Sequence, residues 1–495
     1  MGIIIRQSIK STIVNYVGAF IGFLVQMFII TRFLSSEEIG LTKVFLEVGI
    51  LFASLCQLGT SASIMRYFPY FKNHSKNHNG FFFYILIVPL VGCCIFLPVY
   101  LLLKMPIIDF FAQNSPLFTE YYYWVIPLML IICYWSVLES YSNVNMRIVV
   151  PKFNREIVLR LLMLVLYVAF GYSCIHMDGL IGGIVMAYAV VLIVTLIYVI
   201  HIAPTSLRFD LSYIQPSLRR SIFKYTIFLV TGALGGTMLA RLDLFMITSE
   251  LGFDDAGIFT IASYMAAVIE IPSRSITSIS SPLAAEALKN NDFRSAEDLY
   301  KKVSLHQLLV GSIIFILVWI NMDNIFAIMP NGHIYSAGKW VVFFIGVSKL
   351  ISVALSFGGN LVNFSRYYYW GLYFMLFIIA IGIFTNMLFI PHYGITGAAI
   401  ATLISTIASY AVQQWLITVK IKANPYTFGM LKTAFIIMVL ILINSSDLAF
   451  ENPWIDGITR SLITALIAIA MVYFMKVSQE VNMLIKSVAR KILPL

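Results

Sequence analysis

Eight ionisable side chains lie inside long apolar runs: Lys43, Glu47, Glu139, Arg160, Arg241, Asp243, Glu270 and Lys349. A charge near the centre of a bilayer costs several kcal/mol unless it is paired or faces water, so each is a candidate for function. Arg241 and Asp243 are two positions apart, about 200° around a helix, and must look toward different partners. A guanidinium matches phosphate oxygens bidentately, which makes Arg241 a candidate phosphate ligand in a wet cavity. The alternative is that it snorkels, because it lies about 25 Å along a helix counted from Lys224, toward one membrane face. Lys349 sits near the middle of its run and needs an acidic partner or a wet cavity. Lys43 with Glu47, and Glu270 with Arg274, are spaced i, i+4 and are expected to pair locally on one helical face. Glu139 and Arg160 lie near helix ends, within reach of lipid headgroups. The eight charges sum to zero, so no plainly cationic surface is visible. Lys43, Arg241, Arg274 and Lys349 are the candidates for an anionic ligand, and Glu47, Asp243 and Glu270 for a coupling cation.

The elements carrying these residues are set by composition. The chain has 495 residues, 60% hydrophobic and 11% charged, against about 25% charged in an ordinary soluble domain. This is an all-α polytopic membrane protein, since long apolar runs in lipid must satisfy their backbone internally as helices. Fourteen such runs are expected, among them 39–60, 221–248, 256–277, 340–358, 367–390, 394–418 and 429–445. Four lysines and arginines lie inside spans, and Arg32, Lys104, Lys339 and Arg460 lie at one side. All the others fall in alternate loops and the termini. Basic residues are retained on the cytoplasmic side, so both termini are expected there. The net charge of +10 is thereby explained by topology, and no nucleic-acid partner is expected. Cys56, Cys93, Cys94, Cys133 and Cys174 have no metal-ligand spacing and read as packing residues, with no metal or cofactor implied. Arg6 and Lys10 precede a run of full spanning length without a small-residue cleavage site, so the first span is expected to be retained.

Two echoes organise the chain. Leu34-Ser-Ser-Glu-Glu-Ile-Gly-Leu41 returns as Leu251-Gly-Phe-Asp-Asp-Ala-Gly-Ile258, an offset of 217 (251 minus 34). Gly179-Leu-Ile-Gly-Gly183 returns as Gly394-Ile-Thr-Gly-Ala398, an offset of 215 (394 minus 179). Together they imply a duplicated six-helix unit whose copies share one orientation, related by a pseudo-two-fold axis along the membrane normal. The expected plan is an N-terminal lobe over 1–203, a cytoplasmic linker over 204–220, a second lobe over 221–420, and two further helices with a cytoplasmic tail over 421–495.

The six-plus-six-plus-two plan, the segment RLDLFMITSELGFDDAGIFTIA over 241–262 and the segment FIPHYGITGAAIATLIS over 389–405 resemble the polysaccharide transporter family. That family comprises the O-antigen and capsular polysaccharide flippases of the multidrug/oligosaccharidyl-lipid/polysaccharide exporter superfamily. The resemblance implies two lobes around a central cavity, lined largely by spans 1, 2, 7 and 8, that opens alternately to the two sides of a bacterial cytoplasmic membrane. It implies a transporter rather than an enzyme, with a polyprenyl-diphosphate-linked glycan as cargo, the phospholipid bilayer as surroundings, and polysaccharide polymerases and glycosyltransferases as functional neighbours. The family lines its cavity with basic residues, and the matching position carried over here is Arg241. Position 24, its counterpart in the first span, is leucine. Two other readings stand beside this one. A cation-coupled multidrug exporter of the same superfamily would use Asp243, Glu47 and Glu270, although such exporters typically stop at twelve spans. A membrane polymerase would need an extramembrane region, whereas the outward loop over 104–120 offers only Asp109 and Glu120.

Overall fold

The structure, a computed structural model, describes residues 2–71, 78–112, 117–203, 205, 235, 237–238, 241–367, 369–443 and 450–492. The expected linker over 204–220 and the start of the span over 221–248 therefore fall almost wholly outside the described residues. Those described are all helical, without a strand. Among the described residues ten helices are long and apolar enough to cross a bilayer, and the chain is a multi-pass membrane protein. It packs as two compact units, residues 1–257 and 258–495.

The first unit contains α1 (Gly2–Leu24), α2 (Ser36–Cys56), α3 (Thr60–Phe71), α4 (Phe81–Leu102), α5 (Val125–Val144), α6 (Leu159–Gly171), α7 (Met177–Ile202) and α8 (Leu242–Leu251). The helix α1 continues through a π-turn, Val25–Ile29, into Ile30–Phe33. One core gathers Tyr67, Phe68 and Phe71 of α3, Phe81 and Phe82 of α4, Tyr141 of α5 and Val199 of α7. These aromatic side chains fill space between helices in a medium where burial adds no hydrophobic gain, so contact and shape hold the bundle. Gly92 lets α4 approach the Cys56 carbonyl, since a Cβ there would stand 2.0 Å from that oxygen. Cys56, Cys93 and Cys133 are buried as expected of packing residues, whereas Cys94 and Cys174 are exposed.

The second unit takes most of α9 (Phe253–Ala267), then α10 (Ile271–Lys289), α11 (Phe293–Ile320), α12 (Lys339–Leu355), α13 (Trp370–Leu416), α14 (Phe428–Ile443), α15 (Pro453–Phe474) and α16 (Gln479–Ile492). The expected spans 367–390 and 394–418 form one apolar stretch, Trp370–Ile421, broken at Gly394 with φ 56° and ψ −139°. Only glycine enters that region without strain, which accounts for the glycine at 394. Its other glycine, Gly397, faces the Phe389 carbonyl so closely that a Cβ would stand 2.1 Å from it. The expected span 429–445 corresponds to the shorter helix α14, and within 221–248 the described residues 235, 237 and 238 and those from Leu242 onward are helical.

Candidate functional site

Helix α2 starts on a capping box. The Ser35 amide donates to Glu38 Oε2 at 2.8 Å, and the Glu38 amide donates to Ser35 Oγ at 3.3 Å, which satisfies two of the backbone donors a helix start leaves open. Glu37 and Glu38 also complement the helix dipole. The acidic pair is therefore a helix N-terminus, and so is its copy, because Asp254 and Asp255 stand in the first turn of α9. Within the first unit the two copies touch reciprocally. A Cβ on Gly40 would lie 2.0 Å from the Phe253 carbonyl oxygen, and one on Gly257 would lie 2.0 Å from that of Ser36. Ser36 Oγ also donates to Asp254 Oδ1 at 2.5 Å.

Further along α2 lies the principal charge cluster. At 1.5 Å per residue Lys43 and Glu47 are about 10 and 16 Å from Ser36, close to half of a bilayer's hydrocarbon thickness. Lys43 Nζ donates to Glu47 Oε1 at 2.6 Å, the i, i+4 pair expected from the spacing. The other carboxylate oxygen lies against Arg241 Nε. That contact joins positions far apart in the chain, and no local spacing announces it. Arg241 is the N-cap of α8, with φ −122° and ψ −5°, so a helix begins inside the expected span 221–248. Its Nη1 donates to the Thr237 carbonyl at 2.8 Å. Arg241 lies about 15 Å from the Leu251 end of its helix and only 15% of its side chain is exposed. The guanidinium pairs with Glu47, a partner that neither sequence alternative named. Asp243 follows in the first turn of α8, where the dipole favours a carboxylate. One carboxylate thus faces two cations, Lys43 and Arg241.

In the second unit, Lys349 finds its acidic partner in Glu270, with Nζ 3.0 Å from Oε1. This corrects the expected Glu270–Arg274 pair. Glu270 ends a 3-10 turn, Val268–Glu270, and caps α10 ahead of Pro272, so the helical period that would have aligned the two is interrupted. Arg274 is exposed and makes no ion pair among the described residues. A second correction concerns Glu139 and Arg160, which do not reach for headgroups. Glu139 pairs with Arg155 at 3.2 Å, Arg155 with Glu156 at 3.2 Å and Glu156 with Arg160 at 2.7 Å, and Arg160 Nη1 donates to the Gly18 carbonyl. Sequence reasoning placed Arg155 in a loop and passed over Glu156, although the spacing of 156 and 160 was a visible signal. A hollow of about 520 Å³ lined by Ala327, Ile328, Glu451, Asn452, Pro453 and Trp454 shares no residue with either charged site.

The cluster thus sets Arg241, at the start of α8, against a carboxylate in the middle of the unbroken helix α2. The comparisons agree in fold. The chain superposes on the structure described as "Lipid II flippase MurJ, inward closed conformation" with a TM-score of 0.70 at 13% identity, covering 95% of this chain and 100% of that one. An inward-facing multidrug resistance MATE family transporter of the MOP superfamily gives 0.60 at 16% identity, over 87% and 99% of the two chains. A MOP superfamily transporter from Pyrococcus furiosus gives 0.57 at 14%, over 85% and 96%. No curated protein matches the sequence. Residues 4–286, more than half the chain, match the family described as polysaccharide biosynthesis protein, and the chain belongs to that family, on the fold of the MOP superfamily.

Proposed function

We propose that the protein is a flippase for a polyprenyl-diphosphate-linked oligosaccharide, an O-antigen or capsule repeat unit or similar. It moves this cargo from the cytoplasmic to the outer leaflet of a bacterial cytoplasmic membrane by alternating access. The observation that carries the reading is the Lys43–Glu47–Arg241 cluster, which gathers two cations about one carboxylate well inside a membrane-spanning helix. A diphosphate is the part of such a cargo that most needs cations once removed from water. Membership of the polysaccharide biosynthesis family and a fold shared with a protein named as a lipid II flippase support the same class of cargo. Lys349 and the exposed Arg274 are further candidates for the anion's path, and Asp243, Glu47 and Glu270 for a coupling ion. On this reading both termini are cytoplasmic, the chain follows the duplicated six-plus-six-plus-two plan, and glycosyltransferases and a polymerase act before and after it.

The runner-up is a cation-coupled multidrug exporter, favoured by the MATE likeness. A cationic drug would need an available carboxylate, yet Glu47 and Glu270 already face Lys43, Arg241 and Lys349. Reconstitution separates the two. Purified protein in vesicles should move a fluorescent polyprenyl-diphosphate sugar between leaflets while leaving a cationic dye gradient unchanged. Dye export without lipid movement would replace the flippase reading by the exporter one.

A further inference from the structure

We infer that Glu47 is an internal stand-in for the phosphate of the cargo: it occupies the anion place between Lys43 and Arg241 in the empty protein and is displaced when a lipid diphosphate arrives. The inference rests on the flippase reading and adds to it how the empty site is kept neutralised and selective. Its starting point is an imperfection in the cluster. Glu47 Oε2 and Arg241 Nε are adjacent, yet both are buried and neither makes a hydrogen bond among the described residues. The charges meet, but the N–H does not point at the oxygen. Buried polar atoms left in that state are uncommon and call for an explanation.

The rest of the geometry supplies one. Arg241 spends Nη1 on the Thr237 carbonyl, which fixes the guanidinium and leaves its Nε side facing the carboxylate. Lys43 holds the second carboxylate oxygen from the same helix. A carboxylate tethered one turn from Lys43 satisfies the lysine and only neutralises the arginine. A phosphate, with tetrahedral oxygens and more charge, can accept from Nε–H and from Lys43 together. Exchange of one anion for the other keeps both cations paired throughout, so the empty protein never exposes bare buried charge. It also sets a threshold, because an uncharged lipid offers nothing to displace Glu47 with.

The probe is farnesyl diphosphate, with farnesol as the uncharged control, titrated onto the purified full-length protein in lipid nanodiscs. Glu47→Gln should bind farnesyl diphosphate at least about tenfold more tightly than the wild type, Arg241→Ala should lose most binding, and the double variant should be as weak as Arg241→Ala. Farnesol should not distinguish the variants. Glu47→Asp, which keeps the charge on a shorter arm, should fall between wild type and Glu47→Gln and serves if the glutamine variant does not fold. Equal or weaker binding by folded Glu47→Gln or Glu47→Asp, with Arg241→Ala still impaired, overturns the stand-in and leaves the flippase reading in place. Unaltered binding by Arg241→Ala overturns both.

Discussion

The two units each place a glutamate in a membrane-spanning run against a cation from another helix, and they do so with different stoichiometry. In the first, Glu47 serves Lys43 and Arg241 and is 13% exposed. In the second, Glu270 serves one cation among the described residues, Lys349, and the two side chains are 27% and 32% exposed. A one-to-one pair can be removed as a pair with nothing left uncompensated, whereas in the first cluster the loss of Glu47 leaves two cations facing each other. On the proposed function, the first cluster is where the anion of the cargo is received, and the second pair contributes at least to stability.

That contrast is most directly broken at Arg241. In cells lacking their own flippase, glycan export should rank wild type above Arg241→Lys above Arg241→Ala, with membrane protein levels unchanged. Losing a charge-assisted contact is worth roughly 1.5–3 kcal/mol, or about 10- to 100-fold. Full export by Arg241→Ala would erase the distinction between the units. Next in size is the second pair. Glu270→Gln and Lys349→Met should each lower stability by about 1–2 kcal/mol, less than a fully buried pair would lose, and the double variant should recover much of that in a thermal melt. A double variant that is stable yet dead in export would move Glu270 and Lys349 into the transport site.

The twin glycines give a smaller and more geometric test. Cysteines at Ser36 and Asp254 should cross-link readily, and Gly40→Ala and Gly257→Ala should reduce the yield by similar factors of about two to five, because each would drive a Cβ into a backbone carbonyl. Unequal effects would deny the reciprocity. The smallest effect concerns a carboxylate outside the spans. Glu480 is held below its ordinary value by its own backbone amide, the Ser478 hydroxyl and Lys302. A depressed carboxyl contributes stability above its unfolded value, about 4.3, that is lost as pH falls through the lower folded value. Below about pH 4, α16 should become more accessible to an acid protease, and Glu480→Gln should remove that dependence. The gain is well under about 1 kcal/mol, since Glu480 is 46% exposed.

What could be read in advance followed from local rules. Apolar runs announced helices, the spacing of Lys43 and Glu47 announced their pair, and the depth of Lys349 announced that it needed an acidic partner or a wet cavity. Two of the misreadings share one cause, which is that a continuous helical period was assumed where the chain interrupts it. The 3-10 turn at Val268–Glu270 turned Glu270 away from Arg274 and toward Lys349, and the helix start at Leu242 set Arg241 opposite Glu47. Neither break carries a strong composition signal, and Glu47–Arg241 spans too much chain for any spacing rule. The acidic twins were legible as a repeat, but their role as helix starts required noticing Ser35 three residues before Glu38.

The reciprocal contact of Gly40 with Phe253 and Gly257 with Ser36 has a consequence for how that end of the first unit moves. Side chains can yield by changing rotamer, so contacts made through them loosen by degrees. A contact between bare backbones has no such slack: it is either seated or lost. It therefore behaves as a latch with two positions, and because each glycine guards the other copy's carbonyl, a substitution in one copy has no remedy within that copy. The two stretches are bound to change together or not at all.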